Sequence, residues 1–361
     1  AGRVLSSPVS ATRNQPPFRA SVMDGYAVAG TFDTYRVIGE AAAGHGFETP
    51  LAPGTCVRIF TGATVPDGAD RVIIQEDVTR AQDQNTVQGT AASNVYLRDI
   101  GADYKVEDQL TAPRRLNPAD VALIAAMNVP EVNVSRRPEV ALIATGDELV
   151  MPGETPRPDQ IIASNAFGLA ALAEEEGAKA RLLPIARDTR PSLEAAFELA
   201  ASADLIVTIG GASVGDHDLV GEVAADLGLS RAFYKIAMRP GKPLMAGRLG
   251  GTPMIGLPGN PVSSMVCGHV FLRPMLRAMQ GLAAAPLPIN TAALATDLAA
   301  NGPRQHYMRA CLAEGRLTVA ERQDSALLSV LSKANALIVR PPHDPARSVG
   351  DMVGFLSVNE A

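Results

Sequence analysis

The sequence contains no tryptophan, and only 4% of its residues are aromatic. It has just three cysteines among 361 residues, Cys56, Cys267 and Cys311, and they lie far apart. Neither a disulfide scaffold nor a Cys-based zinc site is therefore expected, and the usage fits a reducing compartment, the cytoplasm. No apolar run approaches the ~18 residues that a membrane-spanning helix requires. Ala1 to Ser10 has neither the charged nor the apolar stretch of a secretory signal, and because the chain opens on Ala1 a preceding segment is expected. Excess basic charge is also missing: 32 Lys+Arg against 38 Asp+Glu leave a net charge of −6. That balance argues against a nucleic-acid partner but leaves room for a local pocket for a small anion. What the chain does have is 47% hydrophobic residues against 19% charged, enough for real cores in two or more domains.

The texture changes along the chain. A Gly/Pro-rich stretch to about residue 103 carries short β-like runs such as Val57 to Phe60 and Arg71 to Ile74. Leu116 to Met127 reads as a helix, with Asn117 as cap, Pro118 at the first position, and Val121, Ile124 and Ala125 on one face. From 139 to about 282, apolar strands (Val140 to Ala144, Leu205 to Ile209, Met254 to Leu257) alternate with helical segments. These are Ala166 to Glu176, Ser192 to Ala201, Leu219 to Leu227 and Val262 to Met279. This alternation predicts a parallel sheet wrapped by helices. In the tail, Leu317 to Ala320, Ala336 to Val339 and Met352 to Leu356 predict a small β barrel or sandwich.

Each apolar strand of the middle region runs into a polar loop. The loops are Thr145-Gly146-Asp147-Glu148-Leu149, Gly210-Gly211-Ala212-Ser213-Val214-Gly215-Asp216-His217-Asp218, and Pro258-Gly259-Asn260-Pro261-Val262-Ser263-Ser264. In a parallel sheet all three lie at one edge, where ligands bind, so they are expected to form one site. Gly210, Gly211 and Gly215 expose backbone N–H groups and Ser213 adds a hydroxyl, a pattern that suits phosphate. Pro261, Ser263 and Ser264 open a helix that offers a second anion cradle. A glycine pair also simply turns a chain, but that explanation weakens when two such loops share an edge.

Lys235, Arg239 and Lys242 fall within eight residues, with prolines on both sides of Gly241-Lys242. Beside phosphate-binding loops they point to a polyanionic ligand, against the plainer alternative of a solvated basic turn. Asp147, Glu148, Asp216 and Asp218 are hard-oxygen ligands suited to magnesium, although one of each pair can instead cap a helix. His45, His269, His306 and His343 are scattered, and are expected to be surface or packing residues.

The three loops together resemble the molybdopterin-binding fold. Three further segments narrow the match: Ser21-Val22-Met23-Asp24-Gly25-Tyr26-Ala27-Val28, Ile59-Phe60-Thr61-Gly62-Ala63 and Val72-Ile73-Ile74-Gln75-Glu76. With them the chain resembles, end to end, the molybdopterin molybdenumtransferase family (the MoeA and gephyrin E-domain type). The resemblance implies a multidomain α/β chain. Residues 1–20 with 104–138 would form a small helical linking and dimerisation domain, 21–103 a β-rich lid, 139–283 the central parallel-sheet molybdopterin-binding domain, and 284–361 a β-barrel-like domain.

The resemblance also implies a homodimer that inserts molybdenum from molybdate into adenylylated molybdopterin and releases AMP with Mg2+. The site would be shared between one subunit's middle domain and the partner's lid. Asp24, Thr61, Glu148, Asp218, Lys235 and Lys242 would be catalytic, and Asp24, Glu148, Asp216 and Asp218 would hold the metal. Gly210, Gly211, Ser213, Gly215, Asp188, Arg239, Pro258, Gly259, Asn260, Pro261 and Ser263 would bind the pterin nucleotide, and Asp103 also sits in a family-like position. An upstream molybdopterin adenylyltransferase and downstream apo-molybdoenzymes would be its partners, with no nucleic acid and no membrane. The chain departs from the family at Phe18-Arg19-Ala20-Ser21, where Phe-Asp-Asn-Ser is common, and at Arg239, where lysine is common. An adenylyltransferase of the same fold is the alternative activity, and a scaffold the alternative from another class.

Overall fold

The computed structural model describes residues 1–82, 85–89, 94–211 and 219–358. They form two compact units, Ala1–Val134 and Ser135–Ala361. No helix among them is long and apolar enough to cross a membrane.

The first unit is built on a six-stranded sheet in the order Arg71–Ile74, Gly25–Val28, Thr55–Ile59, Thr34–Ala41, Thr86–Gly89, Val78–Arg80. Side chains alternate across it. Ala27, Val57 and Ile59 enter one core, while Tyr26, Val28 and Cys56 enter another. Short ribbons pair Val4–Leu5 with Arg114–Arg115 and Val9–Ser10 with Gln109–Leu110, which ties the start of the chain to helix Pro118–Ala126.

That helix opens as its sequence predicts. The Asn117 side chain accepts from the Asp120 N–H, and the Asp120 carboxylate accepts from the Asn117 N–H. Its inward face differs from the predicted one: Asp120, Ile124 and Met127 point in, whereas Val121 is 42% exposed and Ala125 is exposed. Asp120 causes the rotation, because its carboxylate is buried between the cap N–H and the Arg114 guanidinium at 2.8 Å.

The second unit holds the predicted α/β sheet. Lys179–Leu182, Glu139–Ala144, Leu205–Ile209 and Thr252–Leu257 are parallel, and Met245–Leu249 and Leu229–Tyr234 extend them antiparallel. The central strands are apolar throughout because helices cover both faces, Asn165–Glu175 and Pro261–Cys267 on one, Arg190–Ala200 and Leu219–Asp226 on the other. The last predicted helix spans Pro261 to Met279 but contains a π-helical turn at Gly268–Leu272. Pro274 lacks an N–H, and the wider turn before it absorbs the missing bond.

The tail closes into a five-stranded barrel. Gln305–Ala313, Arg316–Val319, Asn290–Leu294, Met352–Ser357 and Ala336–Arg340 pair in sequence, and the last pairs back to the first. Its core includes Leu294, Ala310, Leu317, Ile338 and Phe355. A sixth element comes from the α/β region: Met238–Arg239 pairs in parallel with Gln305 and His306. The segment between the two antiparallel α/β strands therefore crosses over and becomes part of the barrel's sheet.

Glu176 anchors the second unit. It is 1% exposed and accepts from Arg273 Nε at 2.7 Å and Arg277 Nε at 3.0 Å, joining the end of one long helix to another. Burial pushes its carboxyl up, but the two guanidinia outweigh that and hold it ionised below its ordinary value. Glu176→Ala leaves Arg273 buried without its carboxylate and is expected to cost about 3 kcal/mol in denaturant unfolding. A loss below about 0.5 kcal/mol, the scale of a surface change, would contradict this assignment.

Candidate active site

The parallel register Val140↔Leu205 and Ile206↔Met254 brings the three polar loops to one edge of the sheet. There they line a cavity of about 740 Å³. Glu148 and Asp188, Gly210 and Gly211, and Pro258, Gly259, Asn260 and Pro261 all line it. Thr145, from the first of the predicted loops, lines it too, and sequence reasoning missed Asn165, whose Nδ2 donates to the Gly259 carbonyl at 2.7 Å and steadies that loop.

Gly210 and Gly211 have φ of +94° and +67°. A Cβ on them would fall 2.8 Å from the Thr145 carbonyl oxygen and 2.1 Å from Val220 Cγ2, so a larger residue fits at neither place. Ser213, Gly215, Asp216 and Asp218 lie outside the described residues.

A second concavity, of about 400 Å³, sits where the crossover segment meets the barrel. Arg239, Lys242 and Arg304 bring three cations to it, Ser263 and Ser325 line it too, and Asp324 adds one carboxylate. Ser264 does not reach it: it is wholly buried, and Val262 gives its N–H to the Ser325 carbonyl at 3.0 Å. The expected anion cradle at this helix start is thus narrower than the sequence suggests. Arg304 and Ser325 carry no local motif, because only barrel closure brings them here.

Two contacts fix the crossover segment. Gly241 has φ +106°, and a Cβ there would fall 2.5 Å from Cys267 Sγ, so the chain lies directly on the helix. Burial pushes the Cys267 thiol up to about 12, which makes it an inert seat. Arg239 pairs in register with His306. Burial, then the charges of Arg239, Arg309, Arg340 and Arg304, pushes that imidazole down to about 4, so it is neutral at pH 7. Lys235 lines neither concavity; it has φ +67°, and its ammonium sits 4.7 Å from the centre of the Tyr234 ring.

Asp24 and Thr61 belong to the first unit and form one motif. Asp24 Oδ1 accepts from the Thr61 N–H at 2.7 Å and the Thr61 hydroxyl at 2.8 Å. The backbone bond first, then the hydroxyl, holds the Asp24 carboxyl below its ordinary value. Arg19, at the departure from the family pattern, donates to the Ala69 carbonyl at 3.4 Å. Asp103 gives its N–H to the Gln15 carbonyl in the same unit. Among the described residues no three His, Cys, Asp or Glu side chains gather as a ready metal cage.

Three family models match in order: the MoeA N-terminal region (domain I and II) over residues 1–128, the probable molybdopterin binding domain over 141–278, and the MoeA C-terminal region (domain IV) over 291–358. A molybdopterin molybdenumtransferase of Haemophilus influenzae is 34% identical over 98% of this chain and 90% of its own. One from Nostoc sp. is 37% identical over 85% of this chain and 74% of its own. The chain belongs to the molybdopterin molybdenumtransferase (MoeA) family. Its fold matches a molybdopterin biosynthesis MoeA protein from Pyrococcus horikosii with a TM-score of 0.81 at 27% identity, over 100% of this chain and 92% of the other.

Within this MoeA chain the Asp24–Thr61 pair makes a measurable prediction. A folded pKa held below the unfolded one means the Asp24 charge persists to lower pH than in a free carboxylate. Thr61→Val removes the hydroxyl bond but keeps the N–H, so the Asp24 pKa is expected to rise part of the way toward 3.8, its ordinary value. Carboxyl-carbon NMR titration checks it, and an unchanged Asp24 would remove Thr61 from this role.

Proposed function

We propose that this chain is a molybdenum insertase of molybdenum cofactor biosynthesis. It takes adenylylated molybdopterin and molybdate, places molybdenum between the dithiolene sulfurs, and releases AMP. One juxtaposition carries this reading: a glycine-lined cavity at the parallel-sheet edge and a concavity of three cations and one carboxylate at the crossover segment, both lined in part by the helix that starts at Pro261. The relatives' names supply the reaction class.

In this reading the N–H groups of Gly211, Gly259 and Asn260 hold the pterin nucleotide, while the Gly210 N–H is given to the Leu257 carbonyl at 3.0 Å and ties the loop to the sheet. Arg239, Lys242 and Arg304, with the Ser263 hydroxyl, receive molybdate, which binds guanidinium and ammonium by charge-assisted hydrogen bonds. Lys235, which the resemblance put among the catalytic residues, lines neither concavity, and molybdate is assigned here to the cationic concavity. The four-domain division and the homodimer, with Asp24 and Thr61 delivered by a partner's lid, are part of the same proposal.

Magnesium fits this donor set: Glu148 and Asp188 offer hard carboxylate oxygens to one cavity, and magnesium commonly takes one or two carboxylates with substrate phosphates completing its shell. Bound there, it would neutralise phosphate charge as AMP departs. Glu148 orients that charge balance, and the neutral His306 keeps the cations beside it from gaining another positive neighbour.

An adenylyltransferase would need only the molybdopterin-binding region. This chain also matches the MoeA terminal regions, which favours the insertase. Single-turnover AMP release from adenylylated molybdopterin tests the choice. Release is expected to need both molybdate and magnesium, without added ATP. Glu148→Ala is expected to slow it about 100-fold with an unchanged melting temperature, the scale of losing one transition-state charge contact. Release independent of molybdate, or normal turnover in Glu148→Ala, would overturn the reading.

A further inference from the structure

Arg58 lies on strand Thr55–Ile59, directly opposite Tyr26 in the neighbouring strand. Its guanidinium sits 5.2 Å from the centre of the Tyr26 ring and 4.9 Å from that of Phe60. Nη1 donates to the Gly25 carbonyl at 3.2 Å and Nη2 to Gln75 Oε1 at 2.6 Å. Gln75 in turn gives its N–H to the Asp24 carbonyl at 3.0 Å. Arg58, Gln75, Asp24 and Thr61 are therefore joined in one short network across three adjacent strands. Arg80 adds a second guanidinium 5.9 Å from the centre of the Tyr26 ring.

Two features exceed what tying strands together requires. A guanidinium carries five N–H donors, and the two bonds to Gly25 and Gln75 leave others available. Arg58 is near enough for its charge to help lower the Asp24 carboxyl, yet it is in none of the ion pairs seen among the described residues. The guanidinium and the Asp24 residue are thus joined through Gln75 rather than by an ion pair, and Arg58 keeps N–H donors for a further partner. Aromatic faces that hold a guanidinium's plane lower the entropy lost when its fork meets an anion.

We propose that Arg58 is an oxyanion-binding residue of the same reaction, presenting a preset fork beside Asp24 and Thr61 to a tetrahedral oxyanion. That oxyanion is molybdate or a phosphate of the pterin nucleotide. The inference rests on the insertase reading, so its test does not use turnover.

Equilibrium binding of molybdate and, separately, of inorganic pyrophosphate is measured on the full chain and on Arg58→Gln, Arg58→Lys and Gln75→Ala, each with its melting temperature. Arg58→Gln is expected to weaken one of the probes about tenfold or more, the loss of one charge-assisted contact pair. Arg58→Lys keeps the charge without the fork and recovers only part of that loss, and Gln75→Ala falls between it and the parent. Weakened molybdate assigns the site to molybdate, and weakened pyrophosphate assigns it to the nucleotide. A purely structural arginine would lower the melting temperature and leave both affinities of the folded protein unchanged. That result, or no measurable binding of either probe to the parent chain, overturns the proposal. If Arg58→Gln does not fold, Arg58→Lys and Gln75→Ala carry the comparison. Loss of binding in these variants alongside AMP release that ignores molybdate would sink the insertase reading alone.

Discussion

The parallel pairing of Glu139–Ala144, Leu205–Ile209 and Thr252–Leu257 is the constraint from which the site follows. Parallel strands all end on the same edge, so three loops far apart in the chain must meet there. Slipping one strand by a residue would turn its buried face outward, and cores on both faces of the sheet resist that. The glycines that line the cavity are a local consequence. With Thr145 and Val220 packed against the chain, Gly210 and Gly211 are what lets the backbone itself form the cavity wall.

The crossover at Met238–Arg239 is the second organising contact. A solvated turn could carry Arg239 and Lys242 but would not hold them. Pairing with Gln305 and His306 fixes their backbone, and the Cys267 seat sets the depth of Gly241. Gathering arginines this densely needs internal compensation. Arg309 donates to the Asp324 and Arg322 carbonyls, and Arg340 is taken up by Asp344 and by the Ala299 and Pro345 carbonyls. Their charge is thereby spread over backbone dipoles. Arg239, Lys242 and Arg304 instead line a concavity that they share with one carboxylate, Asp324.

Where local pattern decided the outcome, the sequence was legible. Apolar strands buried on both faces, the Asn117 cap and the turn at Gly210-Gly211 have short-range signatures, and each is present among the described residues. The MoeA motifs extended that to the whole chain. Long-range packing was not legible. Strand Gln305–Ala313 hides because buried Arg309 looks like a surface residue, and Lys179–Leu182 and Leu229–Tyr234 hide because edge strands lack an apolar face. The inward turn of Asp120 over Val121 depends on Arg114, and Arg304 and Ser325 enter the site only through barrel closure.

In the proposed insertase the nucleotide would occupy the parallel-sheet edge and the metal oxyanion the crossover concavity. Tungstate, which has molybdate's shape and charge and scatters strongly, locates that oxyanion in a crystal also soaked with AMP. The account predicts an anomalous peak within hydrogen-bond reach of Arg239, Lys242 and Ser263, with AMP density against Gly210 and Gly211. A crystal whose AMP site is filled and which shows no tungstate at these three residues would contradict it.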